Sequence, residues 1–411
     1  MSGARSIAAK DIGQQAARGE RRGVGPSVAR ALLTATFVGA RGVAMGGGEL
    51  KVALVGCGKI ADGHVEQLGK LGTLARLVGV CDAEPLMAEQ LATRFKVARH
   101  YHDFDRMLEV ERPDVVHVTT PPAAHRALTE RAFESGCHVY VEKPVTPSHA
   151  DTEALVLGAR SRGLRLTVGY TYLFDPPARA MRELIASGVI GEPIHIDSVF
   201  GYDLGGAYGL AMTRDGDHWA ARLPGGLIHN NADHLLNKIA EYIDGDEPRI
   251  YATGARRGGG ERMPEELRVL ICGDSVTANG IFSSAIRPVL HSCRVYGTKD
   301  TITVDLHART VVLAVGQRIP SALGRLLGAF DQAAQYGREG VQNVIRFSRS
   351  EFSYFAGLEH LMRLFYESIL KGTEPPIADR QILWVSRAIE RMNEALMVER
   401  GRSPHEEGRR A

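Results

Sequence analysis

The sequence predicts an α/β chain in two parts: a doubly wound parallel sheet, then an α+β domain with an open, mostly antiparallel sheet. Three observations predict it. Short apolar runs alternate with helical stretches from residue 50 to about 172. Beyond about residue 190, apolar runs follow one another with few helices between them. The first apolar run breaks into Gly56-Cys57-Gly58 immediately before a helical stretch. Strands alternating with helices make βαβ units and parallel pairing, whereas consecutive strands with short turns pair antiparallel.

Residues 51–55 read as a buried strand and 59–71 as the helix after it. Strand 76–81, helix 84–94, a short strand at 97–100 and a helix opening at Asp103 follow. Behind Pro113-Asp114 come a buried run at 115–118, a helix over 123–135 and a strand at 138–141. Helices near 149–162 and 176–187 lead into the second part. Its strands read as 193–202, 248–256, 267–272, 276–285, 290–297 and 300–306, with Gly297-Thr298-Lys299-Asp300 a turn between the last two. A helix over 232–242 places Leu235, Leu236, Ile239 and Ile243 on one face, suited to covering the sheet. Two helices, 352–371 and 377–398, close the chain. The expected division is a disordered extension at 1–48, a nucleotide-binding domain at 49–172, a substrate and oligomerisation domain at 173–400, and a polar tail at 401–411.

Composition bounds this reading. A chain of 411 residues with 44% hydrophobic and 24% charged residues has ample material for two or three soluble cores. The net charge of +2, with no long basic tract or aromatic platform, gives no signal for nucleic acid. No apolar run approaches the length that spans a bilayer. The five cysteines, Cys57, Cys81, Cys137, Cys272 and Cys293, never fall in CxxC spacing, which favours reduced, mostly buried thiols and a cytoplasmic location. Residues 1–48 are rich in Ala, Gly and Arg. They read as a disordered extension, or as an artefact of start choice with Met45 the true start. Arg21-Arg22 ahead of the apolar run 31–40 offers a twin-arginine export signal as the alternative, although Arg30 interrupts it and the run is short.

The residues with chemistry cluster at strand ends. In KVALVGCGKIA, residues 51–61, a strand, a glycine turn and a helix N-terminus follow in the order that binds a pyrophosphate. Asp82 closes the next apolar run, where a carboxylate accepts hydrogen bonds from both ribose hydroxyls and repels a 2′-phosphate. Glu84 adds repulsion and no Arg follows directly, so NAD is favoured over NADP. Glu142-Lys143-Pro144 ends another buried run, at the sheet edge where ligands bind. A desolvated lysine near a cationic nicotinamide has a depressed pKa and can share a substrate hydroxyl proton. Glu142 is placed to contact the nicotinamide ribose. Behind Pro224-Gly225-Gly226, Asn230 and His234 are four apart, a spacing that puts them on one face if they lie on the same helix. Asn230 orients but cannot act as a base; His234 is the natural general base, its ordinary pKa lying near operating pH. His229 nearby has no carboxylate or cysteine at ligand spacing, so no metal is expected. An amphipathic stretch at 321–336 carries Leu323, Leu326, Leu327 and Phe330, with Arg318, Arg325, Arg338 and Arg346 nearby. It reads as a helix packed on the sheet or on a subunit, or as a substrate-side lid for an anionic or lipid-linked sugar.

These residues resemble the glucose–fructose oxidoreductase / inositol dehydrogenase (Gfo/Idh/MocA) family over about residues 50–396. The marks are the GCGKIA turn, Thr119-Thr120-Pro121-Pro122-Ala123-Ala124-His125 and Glu142-Lys143-Pro144. Weaker marks are Gly169-Tyr170 with Phe174 and Pro176, the stretch from Gly225-Gly226 to His234, and Gly297-Thr298-Lys299. The resemblance implies a Rossmann domain, an open sheet that pairs protomers into dimers or tetramers, and hydride exchange between NAD(P) and a hydroxyl of a sugar, cyclitol or nucleotide sugar. It makes Gly56, Gly58, Lys59 and Ile60 the pyrophosphate turn and Asp82 the ribose acceptor. Thr120, Pro121 and His125 line the cofactor, with Glu142 beside the nicotinamide. It makes Lys143 and His234 the catalytic pair, with Tyr170, Tyr172 and Asn230 toward the substrate. Two departures stand out: Asn230 where the family often has Asp, and Thr171-Tyr172-Leu173 where it often has Asn-Arg-Arg. The alternatives to an NAD-dependent dehydrogenase are an NAD-using glycosidase or lyase with transient oxidation, and a non-catalytic NAD-binding scaffold or sensor.

Overall fold

The first sheet has six parallel strands in the order β3-β2-β1-β4-β5-β6. They are β1 (Leu50–Val55), β2 (Ala75–Cys81), β3 (His100–Tyr101), β4 (Val115–Val118), β5 (His138–Val141) and β6 (Leu166–Val168). Strand order reverses between β1 and β4, so a crevice opens outside their C-terminal ends. The intervening helices are α1 (Lys59–Lys70), α2 (Pro85–Phe95), α3 (Phe104–Glu111), α4 (His125–Glu134) and α5 (His149–Ser161). β4 and β5 are buried at every position, as a sheet covered on both faces requires.

The structure, a computed structural model, describes residues 48–204, 218–255, 265–314, 321–349, 353 and 355–401, with the side chains of 321–326 and 399–401 left aside. The expectations for 1–47, including the twin-arginine and Met45 readings, and for the tail at 402–411 lie outside the described residues. All described residues fall in one compact unit, Gly42–Ala411.

After α6 (Pro176–Ala186), a second sheet takes the order β13-β12-β11-β7-β10-β9-β8. Its strands are β7 (Pro193–Gly201), β8 (Arg249–Ala255), β9 (Glu266–Cys272), β10 (Thr277–Ser283), β11 (Leu290–Gly297), β12 (Thr301–Asp305) and β13 (Thr310–Ala314). β7 and β10 pair in parallel and the other neighbours antiparallel. Alternation sends Leu267, Val269 and Ile271 of β9 into the core and leaves Leu270 outside, 44% exposed. The inner face is covered by α7 (Gly226–Ala240), where Leu235 packs over Gly280 and the Leu235 carbonyl accepts from Ser198 Oγ at 3.1 Å. The outer face holds an open concavity of about 680 Å³ lined by Tyr251, Arg268, Leu270, Asn279, Ile281 and Arg294.

The long helix α8 (Ser321–Ser348) lies along β13, where Gln335 Nε2 donates to the Leu313 carbonyl and Gln335 Oε1 accepts from the Leu313 N–H. The side-chain amide thus occupies the free edge of the sheet as another strand would. The two last helices, α9 (Ala356–Lys371) and α10 (Asp379–Gly401), join the two sheets. Tyr366 of α9 bonds His117 of β4, and α10 reaches α5 through Ser386 and His149 and α7 through Asn393 and His229.

Several expectations need correction. β6, of three residues, and β13, of five, are strands that the sequence reading did not assign. The strand expected at 97–100 is His100–Tyr101. α7 begins at Gly226, six positions before the expected start, and Ile243 lies beyond its end. The helix expected at 321–336 continues to Ser348. The closing helices start at Ala356 and Asp379 rather than at 352 and 377.

Leu235 and Leu270 lie over opposite faces of this sheet. Leu235→Ala is expected to lower unfolding free energy by about 2–5 kcal/mol, as cavity-forming core truncations do. Leu270→Ala should change the protomer's own stability by under about 0.5 kcal/mol. Denaturant titration under conditions that keep the chain monomeric distinguishes the two.

Candidate active site

The glycine turn is set by contact and by charge. Gly56 has φ +97°, and a Cβ there would lie 2.6 Å from the Thr120 nitrogen. The turn therefore presses on the end of β4, which only glycine permits. Its N–H donates to the Cys81 carbonyl at 2.8 Å, and Thr119 Oγ1 donates to the Gly56 carbonyl at 2.6 Å. Asp82 accepts from the Cys57 N–H at 2.7 Å and from the Glu84 N–H at 2.9 Å, one bond on each carboxylate oxygen. Gly58 is the N-cap of α1; no side chain caps the helix, and there is open space where a Gly58 side chain would begin.

A second loop is tied to this turn by His125. Its Nδ1 lies 3.0 Å from the carbonyls of Pro144 and Val145, and its Nε2 lies 2.7 Å from the Thr120 carbonyl. Thr120 Oγ1 is buried without a protein partner. The residues after β4 and after β5 thus form one edge with the glycine turn, and this edge fits a dinucleotide. Gly58 leaves room at the helix N-terminus, Asp82 keeps a lone pair on each oxygen, and Thr120 holds an unused hydroxyl.

At the end of β5, Glu142 is 9% exposed and backed by a buried chain of hydrogen bonds. Glu142 Oε1 lies 3.0 Å from His64 Nε2, His64 Nδ1 lies 2.8 Å from His117 Nδ1, and His117 Nε2 lies 2.6 Å from the Tyr366 hydroxyl. The contacts are satisfied when Tyr366 donates to His117, His117 to His64, and His64 to the Glu142 carboxylate. Burial holds His117 well below the ordinary histidine range and Tyr366 well above the ordinary tyrosine range, so the first is neutral and the second keeps its proton. Sequence reasoning missed this chain. The available signal was His117 itself, an ionisable residue inside the apolar run Val115–Val118.

Lys143 reaches across to α7. Its Nζ donates to the Asn230 carbonyl at 2.9 Å and to Asn230 Oδ1 at 3.2 Å. Burial lowers its pKa, while Asp233 and Glu142 pull the other way. Asp233 is 1% exposed, and burial raises its carboxyl to about 7 against the opposing effects of Lys143 and a hydrogen bond to Tyr170. Its Oδ2 has no partner. Asp233, which the sequence reading did not include, lies three positions after Asn230 on the same helix, a spacing that was its available signal.

His234 is half-buried beside Tyr172 and Phe200, with ring centroids at 5.0 and 4.8 Å, and its carbonyl accepts from Lys238. Burial, with Lys143 and Lys238 nearby, holds it well below the usual histidine range. The expectation of a histidine poised near neutral pH is corrected: His234 is a neutral imidazole at pH 7. His229 is buried against Asn393, 3.0 Å away, and burial lowers it to about 4. No group of three or more metal-ligating side chains is found among the described residues.

A Rossmann sheet with a glycine turn, an acidic residue directly after β2 and a half-buried lysine at the strand ends defines a dinucleotide-dependent oxidoreductase fold. Comparison with known proteins makes the assignment specific. Residues 50–170 match the family model described as oxidoreductase family, NAD-binding Rossmann fold, and residues 178–303 match the GFO/IDH/MocA C-terminal domain. The chain is 30% identical over 311 residues to scyllo-inositol 2-dehydrogenase (NAD(+)) of Bacillus subtilis, covering 72% of this chain and 87% of that one. It is 28% identical to D-apiose dehydrogenase of Paraburkholderia graminis over 50% of this chain and 52% of that protein. It therefore spans about half the length of several curated relatives that it matches. The WlbA dehydrogenase of Bordetella pertussis, solved with NADH and UDP-GlcNAcA, superposes with a TM-score of 0.67 at 18% identity, covering 84% of this chain and 96% of that one. The chain belongs to the Gfo/Idh/MocA oxidoreductase family, and its first domain is an NAD-binding Rossmann fold.

Asp82→Ala removes a charged acceptor and the brace on the Cys57 amide together. NAD+ affinity is expected to fall about tenfold or more, since hydrogen bonds to charged groups contribute about 1.5–3 kcal/mol. The ratio of NAD+ to NADP+ affinity should fall as well. Calorimetric titration with each nucleotide reads both effects.

Proposed function

We propose that the protein is an NAD-dependent dehydrogenase or reductase acting on a CH–OH group of a sugar, cyclitol or nucleotide sugar. The observation that carries this reading is Lys143, a half-buried amine whose Nζ is held by Asn230 at the edge that fits the dinucleotide, with Glu142 and Asp233 nearby. A bound NAD would supply the hydride chemistry at the carbinol carbon. In the oxidative direction, neutral Lys143 receives the hydroxyl proton as the O–H bond breaks. In the reductive direction, the ammonium donates that proton to the carbonyl oxygen. Asn230 aims Nζ through two oxygen acceptors. Asp233 and Tyr170 form a buried acid–hydroxyl pair behind the lysine, and His234 and Tyr172 offer hydrogen bonds to substrate hydroxyls. Gly56, Gly58, Lys59 and Ile60 would hold the pyrophosphate, with Thr120, Pro121 and His125 beside it and Glu142 toward the nicotinamide ribose. The scaffold reading rested on a missing carboxylate at position 230; Asp233 supplies a carboxylate within the electrostatic reach of Lys143. Free cysteines, four of the five buried, suit a reducing compartment such as the cytoplasm. The open face of the second sheet, with Tyr251 65% and Leu270 44% exposed, is proposed to pair with a second copy.

Lys143→Ala should lower kcat by about 100-fold or more while leaving NADH affinity within about threefold, because general acid–base groups contribute roughly 10²–10⁴. Turnover at the parent rate would sink the assignment. Asn230→Asp replaces a neutral acceptor of the Lys143 ammonium with a charged one, which favours the protonated form. The kcat profile for oxidation, which rises as Lys143 loses its proton, should move to higher pH; a profile that stays put or moves down would exclude Lys143 as the titrating base. Tyr251→Asp with Leu270→Asp should halve the particle mass measured by light scattering.

A further inference from the structure

Helix α8 presents its two faces in an unusual sense. The half-buried positions toward the body are polar: Gln335, Glu339, Gln342, Asn343 and Arg346. Asn343 Nδ2 donates to the Ala308 carbonyl at 3.0 Å, and Gln335 pairs with β13 as described above. The exposed large apolar residues are Leu327 at 38%, Phe330 71%, Tyr336 50%, Val341 62%, Val344 69%, Ile345 43% and Phe347 73%. An apolar helix face left in solvent marks an interaction surface. Positions 327, 330, 334, 337, 341, 344 and 348 line this face, with spacings that alternate between three and four through three heptads. That period is the seam of a helix pair. An interfacial membrane helix instead carries basic residues along the flanks of its apolar face. Here the middle of the seam is Ala334 and Gly337, and its flank carries both signs of charge, Asp331 and Arg338, one heptad apart and both exposed.

We propose that α8 pairs antiparallel with α8 of a second copy of this chain across a two-fold axis. The seam is self-complementary in one register. Leu327 meets the partner's Val344, Phe330 meets the partner's Val341, and Ala334 meets the partner's Gly337; the two-fold repeats each layer. Bulky side chains lie against branched ones at both ends, and small residues at the centre let the helix axes approach. The same register sets Asp331 against the partner's Arg338 twice, which a parallel pair or a one-heptad slip would not do. This contact is separate from the open sheet face and independent of the catalytic reading.

The test uses the full chain carrying F330C and V341C together. The register brings these two positions into one layer, so mild oxidation should give a disulfide-linked dimer on a non-reducing gel. Neither single variant should link, because each position and its own two-fold mate lie eleven residues apart, about 16 Å along the helix axis. In the double-cysteine background, D331R should reduce linking by about tenfold through like-charge repulsion, and adding R338D should restore it. The sheet-face dimer cannot form this link, so failure of one interface is distinguishable from failure of the other. Absence of linking, or no recovery on double charge reversal, overturns the proposal. So does monomeric protein that co-sediments with phosphatidylglycerol vesicles through α8.

Discussion

Much of the site depends on one contact, the clamp of Lys143 Nζ on the Asn230 carbonyl and side-chain oxygen. It bridges the end of β5 in the first sheet and the first turns of α7, which covers the second. An ammonium taken out of water needs acceptors in fixed positions, or it loses its proton or draws water in. Asn230 provides two acceptors and no charge. The lysine is therefore held in place without the full stabilisation of its charged form that a carboxylate would give, and its pKa is free to fall with burial. α7 can serve as the anchor because it is buried nearly all round, with Ile228, Ala232, Leu235 and Ile239 at 0% exposure. A helix so enclosed cannot rotate to follow a moving partner.

Behind the clamp, the Glu142–His64–His117–Tyr366 chain does the complementary work for the neighbouring carboxylate. In the arrangement that starts with Tyr366 as donor, each imidazole accepts one hydrogen bond and donates one, so the chain is polarised toward Glu142 and every buried nitrogen in it is paired. Its last member lies on α9, a helix more than two hundred residues along from β5. Of the two ionisable residues at the end of β5, Lys143 is held by α7 and Glu142 by His64 of α1, which is backed through His117 by Tyr366 of α9. The glycine turn is braced in the same manner by Asp82 from β2, so the two charged strand ends and the turn keep a common edge.

What was legible in the sequence follows from this division of labour. The glycine turn, Asp82 and Lys143 are local signals: a strand, a turn and a charge at the strand end lie within a few residues of one another. β1, β2, β4 and β5 were legible because each is an apolar run with punctuation, whereas β3, the pair His100–Tyr101, was placed a few residues early. β6 and β13 were not, because their pairing comes from neighbouring strands rather than from their own pattern. Asp233 and the histidine chain belong to a different kind of information. Nothing local distinguishes a buried, hydrogen-bonded His64 from a solvated one on α1, and nothing within α7 says that position 233 faces the lysine. Those facts arise when helices remote in sequence close over the sheet edge. His234 shows the same limit from the other side: its type suggested a base near neutral pH, and its surroundings keep it uncharged.

The same limit governs α8 and explains why its direction could be read only from the fold. Periodicity reports that a helix has an apolar stripe, and the usual inference turns that stripe inward. Here the element beneath the helix is the edge of a sheet, a row of unpaired backbone groups that hydrocarbon cannot satisfy. Gln335 satisfies that edge at Leu313, and Asn343 serves the turn before it at Ala308. Once polar side chains are committed inward, helical geometry leaves Phe330, Val341 and Val344 on the outside. The polar requirement of the sheet edge therefore fixes both the rotation of α8 and the exposure of its seam.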